Sequence, residues 1–282
     1  MPIILYTSKS IASAAIAHKL IQMKPATMPI DTGTETVLDV PVDFDTDCII
    51  VLSPHKSREG KPMLTAHFPG NWGKAEMGGK DRTLNIAHGS MLKRIIWEIE
   101  TQNRKLGLDW PVLIEADHHG PLAKVPMIYV EIGSSEKEWG NPLAAQVVAE
   151  AVNNAVSKPE TRNPTPETSG KTQNPRPETA TKTQNTKPET IFGVGGGHYA
   201  REFTKLVLER DDLAVGHICP KYAIDSLDED TFRQAIEKSV DPVKRVLVLK
   251  EGTNAKQKEK VKNLCRNSGV DYEETGARTG KQ

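Results

Sequence analysis

The sequence lacks the features that mark secreted, membrane-spanning and disulfide-stapled proteins. Its 282 residues include three cysteines that form no Cys-x-x-Cys pair, so neither a disulfide framework nor a cysteine zinc site is expected. No apolar run approaches the ~18 residues of a transmembrane helix, and residues 1–6 lack the basic and apolar regions of a signal peptide. We therefore expect a cytoplasmic protein with no membrane partner.

The chain also has no net charge, because 37 lysines and arginines balance 37 aspartates and glutamates. Bulk charge then gives no general attraction to phosphates, so DNA is not an expected partner and any RNA must bind a local basic patch. Lysines at alternate positions from 256 to 262 spread around a helix, which indicates a solvated surface rather than such a patch.

What the sequence does contain is a regular alternation of strands and helices. Apolar runs such as 48–52 predict buried strands, and the stripe after Ser10 predicts an amphipathic helix. Ser90 is expected to cap a second helix, and Asn141-Pro142 to begin another. The pattern predicts an α/β fold with a mostly parallel mixed sheet and helices on both faces.

Residues 157–190 interrupt this pattern with a polar repeat. The segment 166–174 recurs at 177–185, and residues 188–190 open a third copy. A solenoid repeat needs an apolar face to bury, and these copies have none, so we expect a disordered insertion, with a partner-binding tether as the alternative. Residues 1–156 and 191–282 would form one catalytic α/β unit, with a division into two subdomains left open.

Polar side chains cluster where the apolar run 111–114 ends. Glu115, Asp117, His118 and His119 follow that run directly, before a Gly-Pro turn. We call residues 115–121 the paired-histidine corner. Ligands bind at the carboxyl ends of strands in open α/β sheets, and these side chain types titrate, bind metals and move protons. The corner is therefore a candidate functional site.

Other histidines stand at comparable places, at strand ends and turns, and are His55, His67, His88 and His198. They would share one pocket with the corner, or each would merely hydrogen bond a loop carbonyl. A catalytic zinc ion needs three protein ligands and an open position. His55, His118, His119, Glu115 and Glu131 are the candidate ligands.

Glu131 is the one charged residue in the otherwise apolar strand 126–132. A buried carboxylate is costly unless it is paired or binds a metal, and the alternative is an outward-facing residue on a half-exposed strand.

A glycine run at 193–197 separates a predicted strand from a predicted helix. Its backbone N–H groups would bind an anion or a developing oxyanion, since glycine permits close approach. The run lacks the Gly-Lys-Ser/Thr of a phosphate-binding loop and the acidic partner of a dinucleotide site. A plain tight turn is the alternative.

Several motifs together resemble the D-aminoacyl-tRNA deacylases of archaeal and plant type. They are Ser53-Pro-His-Lys-Ser57, Leu64-Thr-Ala-His-Phe-Pro-Gly-Asn71, His118-His-Gly-Pro121, Glu131-Ile-Gly-Ser-Ser135 with Trp139, Gly195-Gly-Gly-His-Tyr-Ala200 and Gly216-His217. They occur in order along nearly the whole chain apart from the repeat. Two positions depart from the family, with Asp117 where threonine is usual and Arg201 where proline is common.

The resemblance implies a zinc-containing cytoplasmic hydrolase, with a fold similar to phosphorylases and peptidyl-tRNA hydrolases, that cleaves D-amino acids from the 3′ end of tRNA. A monomer is expected. Carried onto this chain, the expected catalytic residues are His118, His119, Glu131 and His198, with metal ligands His55, His118, His119 and Glu131. Expected substrate-binding residues are His67, Asn71, Gly195, Gly196, Gly197 and Tyr199. The alternatives are a zinc peptidase or amidohydrolase, and a non-catalytic tRNA-binding protein.

Overall fold

A computed structural model describes residues 1–157 and 187–275, and confirms the α/β class. The strands are β1 (Ile3–Tyr6), β2 (Ile30–Asp31), β3 (Ile49–Lys56), β4 (Met63–His67), β5 (Gly70–Asn71), β6 (Thr83–Leu84), β7 (Val112–Ile114), β8 (Met127–Ser134), β9 (Glu189–Val194), β10 (Leu213–Cys219), β11 (Val243–Leu249) and β12 (Asp271–Thr275). The helices are α1 (Ile11–Gln22), α2 (Gly89–Lys105), α3 (Glu136–Trp139), α4 (Pro142–Ser157), α5 (Arg201–Glu209), α6 (Glu229–Glu237) and α7 (Ala255–Ser268).

The strands form two principal sheets. The first has the order β2-β1-β3-β8-β4-β7. It is mixed, because β4 runs antiparallel to β8 whereas all the other neighbouring strands of this sheet pair in parallel. The second has the order β10-β9-β11-β12 and is parallel throughout. The expected mostly parallel mixed sheet is thus confirmed, and it is divided in two.

The core follows the two faces of these sheets. In β3, Ile50 and Leu52 pack with the helices α1, α2 and α4. On the other face, Ile49 and Val51 belong to a separate cluster in which residues of β1 and β8 meet residues of loops. The second sheet packs α2 and α5 on one face and α6 and α7 on the other. Strands buried on both faces explain the uninterrupted apolar runs of the sequence.

The helix starts were predicted with mixed success. Ser10 caps α1, and the Asn141 side chain accepts from the N–H of Leu143 at 2.9 Å at the start of α4, as expected. The prediction for Ser90 was wrong, because α2 already begins at Gly89. The Ser90 N–H instead donates to the Asp241 carboxylate at 3.1 Å, so a residue 151 positions away does the capping.

Most of the polar repeat, residues 158–186, lies outside the described residues. Its two ends belong to the fold, since Ser157 is the last residue of α4 while Glu189 and Thr190 begin β9. Thr190 is buried, and its hydroxyl donates to Asp241 at 3.3 Å. None of the described helices is long and apolar enough to cross a membrane.

Candidate active site where the two sheets meet

The paired-histidine corner joins the first sheet to the second. It follows β7 at the edge of the first sheet, and the N–H of Ala116 donates to the carbonyl of His198 at 2.8 Å. The N–H of Ala200 donates back to Ile114 at 2.9 Å. These bonds place His198, which follows β9 of the second sheet, directly beside the corner.

Five histidines and two glutamates meet at this junction. The His118 ring stacks on His67 with 4.1 Å between centroids. The centroids of the His119 and His198 rings each lie 4.5 Å from that of His118. Four of these histidines contact two buried carboxylates, and His119 packs against the rings of His67 and His118. We call His55, His67, Glu115, His118, His119, Glu131 and His198 the histidine–glutamate cluster.

Glu115 lies at the centre of the cluster and is almost fully buried. Its carboxylate oxygens are 3.2 Å from His55 Nδ1, 2.8 Å from His198 Nε2 and 3.8 Å from His118 Nε2. Burial by itself would raise the pKa of Glu115, but the approach of His198 and His55 outweighs it and holds that pKa well below its usual range. Glu115 is therefore an ionised centre that three histidines share.

Glu131 is buried rather than outward-facing, and hydroxyl groups fix it from both sides. Its strand β8 pairs with β3 and β4 so that Ser53 and Thr65 are its register partners. The Ser53 hydroxyl donates at 2.7 Å and the Thr65 hydroxyl at 3.3 Å. Burial opposes ionisation, but His55 and His67 lower the pKa of Glu131 to about 2.

The sequence-based reasoning missed Ser53 and Thr65 as partners of Glu131. The available signal was a hydroxyl residue directly after an apolar run in each of two strands, and only the strand register shows that both hydroxyl groups face Glu131.

His55 bridges the two carboxylates. Its Nδ1 lies 3.2 Å from Glu115 and 3.3 Å from Glu131, and its Nε2 contacts the Tyr199 hydroxyl at 2.8 Å. Burial would lower the pKa of His55, but the two glutamates raise it to about 11.

In contrast to His55, the rings of His118 and His119 are held in the neutral state. Their Nδ1 atoms donate to the carbonyls of Ala116, at 2.9 Å, and Gly120, which leaves each Nε2 without a proton when the ring is neutral. Burial and the nearby His67 lower both pKa values, that of His119 to about 4. Neutral imidazoles with a free Nε2 are what a metal ion requires.

The donor atoms of the cluster fit a metal ion. Three groups have all their ligand atoms within 4.8 Å of one another: His67 with His118 and His119, Glu115 with His118 and His198, and His55 with Glu115 and Glu131. The buried Nε2 of His67 has no hydrogen-bond partner within the described residues, as expected for a ligand atom. Imidazole and carboxylate donors suit several divalent ions, so the arrangement does not identify the metal.

The remaining sequence-predicted residues differ in their position relative to the cluster. Tyr199 contacts His55, whereas the Asn71 amide donates to the carbonyls of Gly78 and Lys80 at 3.0 and 3.3 Å and so holds a loop. His88 lies apart from the cluster, with its Nδ1 4.0 Å from Asp241.

The glycine run is only partly available for an anion. The N–H of Gly195 donates to the Cys219 carbonyl at 2.9 Å and is committed within the fold. Gly195 and Gly196 have φ values of 107° and 78°, which other residues rarely adopt. Any anion binding by this run must therefore use Gly196 and Gly197.

The sequence matches a family model described as D-aminoacyl-tRNA deacylase over residues 42–273. A curated protein of that name from Thermococcus onnurineus is 31% identical, over 96% of this chain and 99% of the relative. Another, from Pyrococcus furiosus, is 34% identical over 80% of this chain and 73% of the relative. A solved structure titled as a conserved protein of unknown function superposes with a TM-score of 0.78 at 22% identity, covering 97% of this chain and 95% of its own, which shows the shared fold.

Proposed function

This chain belongs to the D-aminoacyl-tRNA deacylase family, and we propose that the histidine–glutamate cluster is where it hydrolyses the ester joining a D-amino acid to the 3′ end of tRNA. The products are the free D-amino acid and tRNA, so the enzyme is a hydrolase of translation quality control. The observation that carries the site assignment is the convergence of two ionised carboxylates and five histidines at one junction.

We propose zinc as the metal, with ligands drawn from His55, His67, His118, His119 and Glu131. A zinc ion bound here would act as a Lewis acid and lower the pKa of a water molecule to near neutrality. The carbonyls of Ala116 and Gly120 keep His118 and His119 in the tautomer that presents Nε2, so the ligand geometry is set before the ion binds.

Proton transfer would fall to His198 and Glu115. His198 is the more exposed of the two, and the ionised Glu115, 2.8 Å from its Nε2, would orient its ring and stabilise the imidazolium. His198 would accept a proton from the attacking water and then donate it to the ribose oxygen as the ester C–O bond breaks. The N–H groups of Gly196 and Gly197 would stabilise the negative charge on the ester carbonyl oxygen.

We also propose that the enzyme acts in the cytoplasm and that it is a monomer. A tRNA substrate is consistent with action in the cytoplasm. The expected monomer is measured by sedimentation of the purified chain.

Purified enzyme with zinc should hydrolyse D-tyrosyl-tRNA and leave L-tyrosyl-tRNA intact. Glu115→Gln should reduce kcat by at least about 100-fold, because it removes the charge that supports His198. The matched control is Glu209→Gln on the exposed surface of α5, which should retain full activity. Equal cleavage of the D and L substrates would overturn the activity, and a fully active Glu115→Gln enzyme would overturn the site. A panel of ester and amide substrates separates this activity from that of a peptidase.

A further inference from the structure

A pocket of about 340 Å³ opens beside the histidine–glutamate cluster and shares His118 and His119 with it. Its floor is formed by Asp117, His118 and His119 of the paired-histidine corner. One wall is the loop 70–77, and the other is the turn 222–226 that follows β10. Its volume falls in the range of about 300–1,000 Å³ that is usual for small-ligand sites.

The first wall is fixed against the corner. The Met77 carbonyl accepts from the N–H of Gly120 at 2.9 Å, and the neighbouring loop packs so tightly that a Cβ on Gly120 would lie 2.2 Å from the Gly79 nitrogen. The Asn71 amide holds the same loop through Gly78. Met77 nevertheless leaves 56% of its surface exposed, so a rigid backbone presents a thioether side chain to the pocket.

The second wall is held equally firmly. The N–H of Lys221 donates to the Gly196 carbonyl at 2.9 Å, and the Lys260 ammonium donates to the Asp225 carbonyl at 2.7 Å. Tyr222 lies between these anchors and is 65% exposed. It is the only aromatic residue among the exposed large apolar side chains of the described ranges. An exposed ring on a fixed turn beside an active site is suited to contact a ligand.

The chemistry of these walls suits an unpaired nucleobase. Bases stack on aromatic rings whatever their sequence. Lys74, which lines the pocket together with Glu76 and Asp117, supplies a cation for the adjoining phosphate. An ester held at His118 and His198 belongs to the terminal ribose of tRNA, and the terminal adenine is attached to that same ribose. The base must therefore lie within one sugar of the cluster, which is where the pocket opens.

We propose that this pocket binds the terminal adenosine of tRNA, with its base stacked on Tyr222 and Met77, and so positions the ester at the histidine–glutamate cluster. This inference rests on the proposed function. It assigns a nucleotide-binding role to Tyr222 and Met77.

Tyr222→Ala should raise KM for D-tyrosyl-tRNA about tenfold while kcat stays nearly unchanged, because base stacking on an aromatic ring contributes to binding before the ester reacts. Tyr222→Phe keeps the ring and should retain the wild-type KM. Met28→Ala removes another exposed large side chain, ahead of the edge strand β2, and should also have no effect. A KM unchanged in Tyr222→Ala, or a loss confined to kcat, would overturn the proposal.

The amino-acid side chain is the other candidate occupant, and two substrates distinguish it. If the base occupies the pocket, Tyr222→Ala should raise KM by the same factor for D-tyrosyl-tRNA and D-alanyl-tRNA. An effect on D-tyrosyl-tRNA alone would assign the pocket to the amino-acid side chain and overturn the proposal.

Binding of adenosine 5′-monophosphate, measured by calorimetry, tests the pocket independently of turnover. Wild-type protein should bind the nucleotide and Tyr222→Ala should bind it about tenfold more weakly. Equal affinity, or no binding to the wild type, would overturn the pocket assignment. An enzyme that binds the nucleotide through Tyr222 but hydrolyses neither D-aminoacyl-tRNA would refute the proposed function and leave the pocket assignment supported.

Discussion

Neighbouring groups give the histidines of one cluster opposite protonation states. His55 lies between two carboxylates that raise its pKa to about 11, whereas burial and the nearby His67 lower the pKa of His119 to about 4. The charged ring therefore lies among the glutamates, and the neutral rings leave an unprotonated Nε2 available. One residue type serves two purposes because local charge differs over a few ångströms.

The position of His55 depends on Gly133, which lies beside it on β8. A Cβ at position 133 would come within 2.7 Å of the His55 ring and 3.0 Å of its Cβ. Gly133→Ala should push His55 away from Glu115 and reduce kcat by about 10- to 100-fold, since small displacements of positioned groups are costly. Steady-state kinetics measure the loss. Gly140→Ala, where the nearest atom would be an ordinary 3.5 Å away, should leave the rate unchanged, and equal activity of both variants would contradict this account.

Among the secondary-structure elements, α2 owes its position to a buried lysine. The Lys93 ammonium donates to the carbonyls of Val207 at 2.9 Å and Leu213 at 2.7 Å, and also to that of Arg210. Burial lowers the pKa of Lys93 to about 8. These bonds tie α2 to the end of α5 and the start of β10, and so connect the core helix to the second sheet.

Lys93→Met should destabilise the protein by about 2–4 kcal/mol, because methionine fills similar space but leaves three carbonyls without their donor. Urea unfolding followed by circular dichroism measures the change. Lys105→Met, at an exposed position on the same helix, is the control and should shift stability by less than about 0.5 kcal/mol. If the two variants unfold at the same denaturant concentration, Lys93 does not hold the interface.

At the scale of the whole molecule, the site exists only because the two sheets are docked. The first sheet supplies Glu131 and His55, its edge strand leads into the paired-histidine corner, and the second sheet supplies His198 and Tyr199. A ligand that bridges these parts should stabilise the entire fold, since it binds the docked state and not the unfolded chain.

Removal of the proposed zinc ion should therefore lower both activity and thermal stability. Treatment with a chelator is expected to abolish hydrolysis and to reduce Tm by about 5–10 °C, and added zinc should restore both. Differential scanning fluorimetry and metal analysis of the purified protein measure the effect. His118→Ala should show a much smaller response to the chelator, and a full response in that variant would exclude His118 from the ligands.

We also propose that the parts of the chain on either side of residues 158–186 form the catalytic unit without help from the repeat. Replacing residues 158–186 with a Gly/Ser linker of equal length should keep kcat/KM within about twofold and leave Tm unchanged, because flexible linkers of matched length preserve the closure of the chain. A large loss of activity with an unchanged Tm would instead make the repeat a binding element for the substrate.

The sequence by itself determined the α/β class, the caps of α1 and α4, and the paired-histidine corner, because periodicity, caps and strand ends are local properties of the chain. The motifs also identified the family. Only the tertiary structure decided that the strands divide into two principal sheets, that His88 lies outside the histidine–glutamate cluster and that Asp241 caps α2. It also decided the central place of Glu115 and the support of Glu131 by Ser53 and Thr65. These features depend on strand register and on contacts between residues far apart in the chain, which no local pattern encodes.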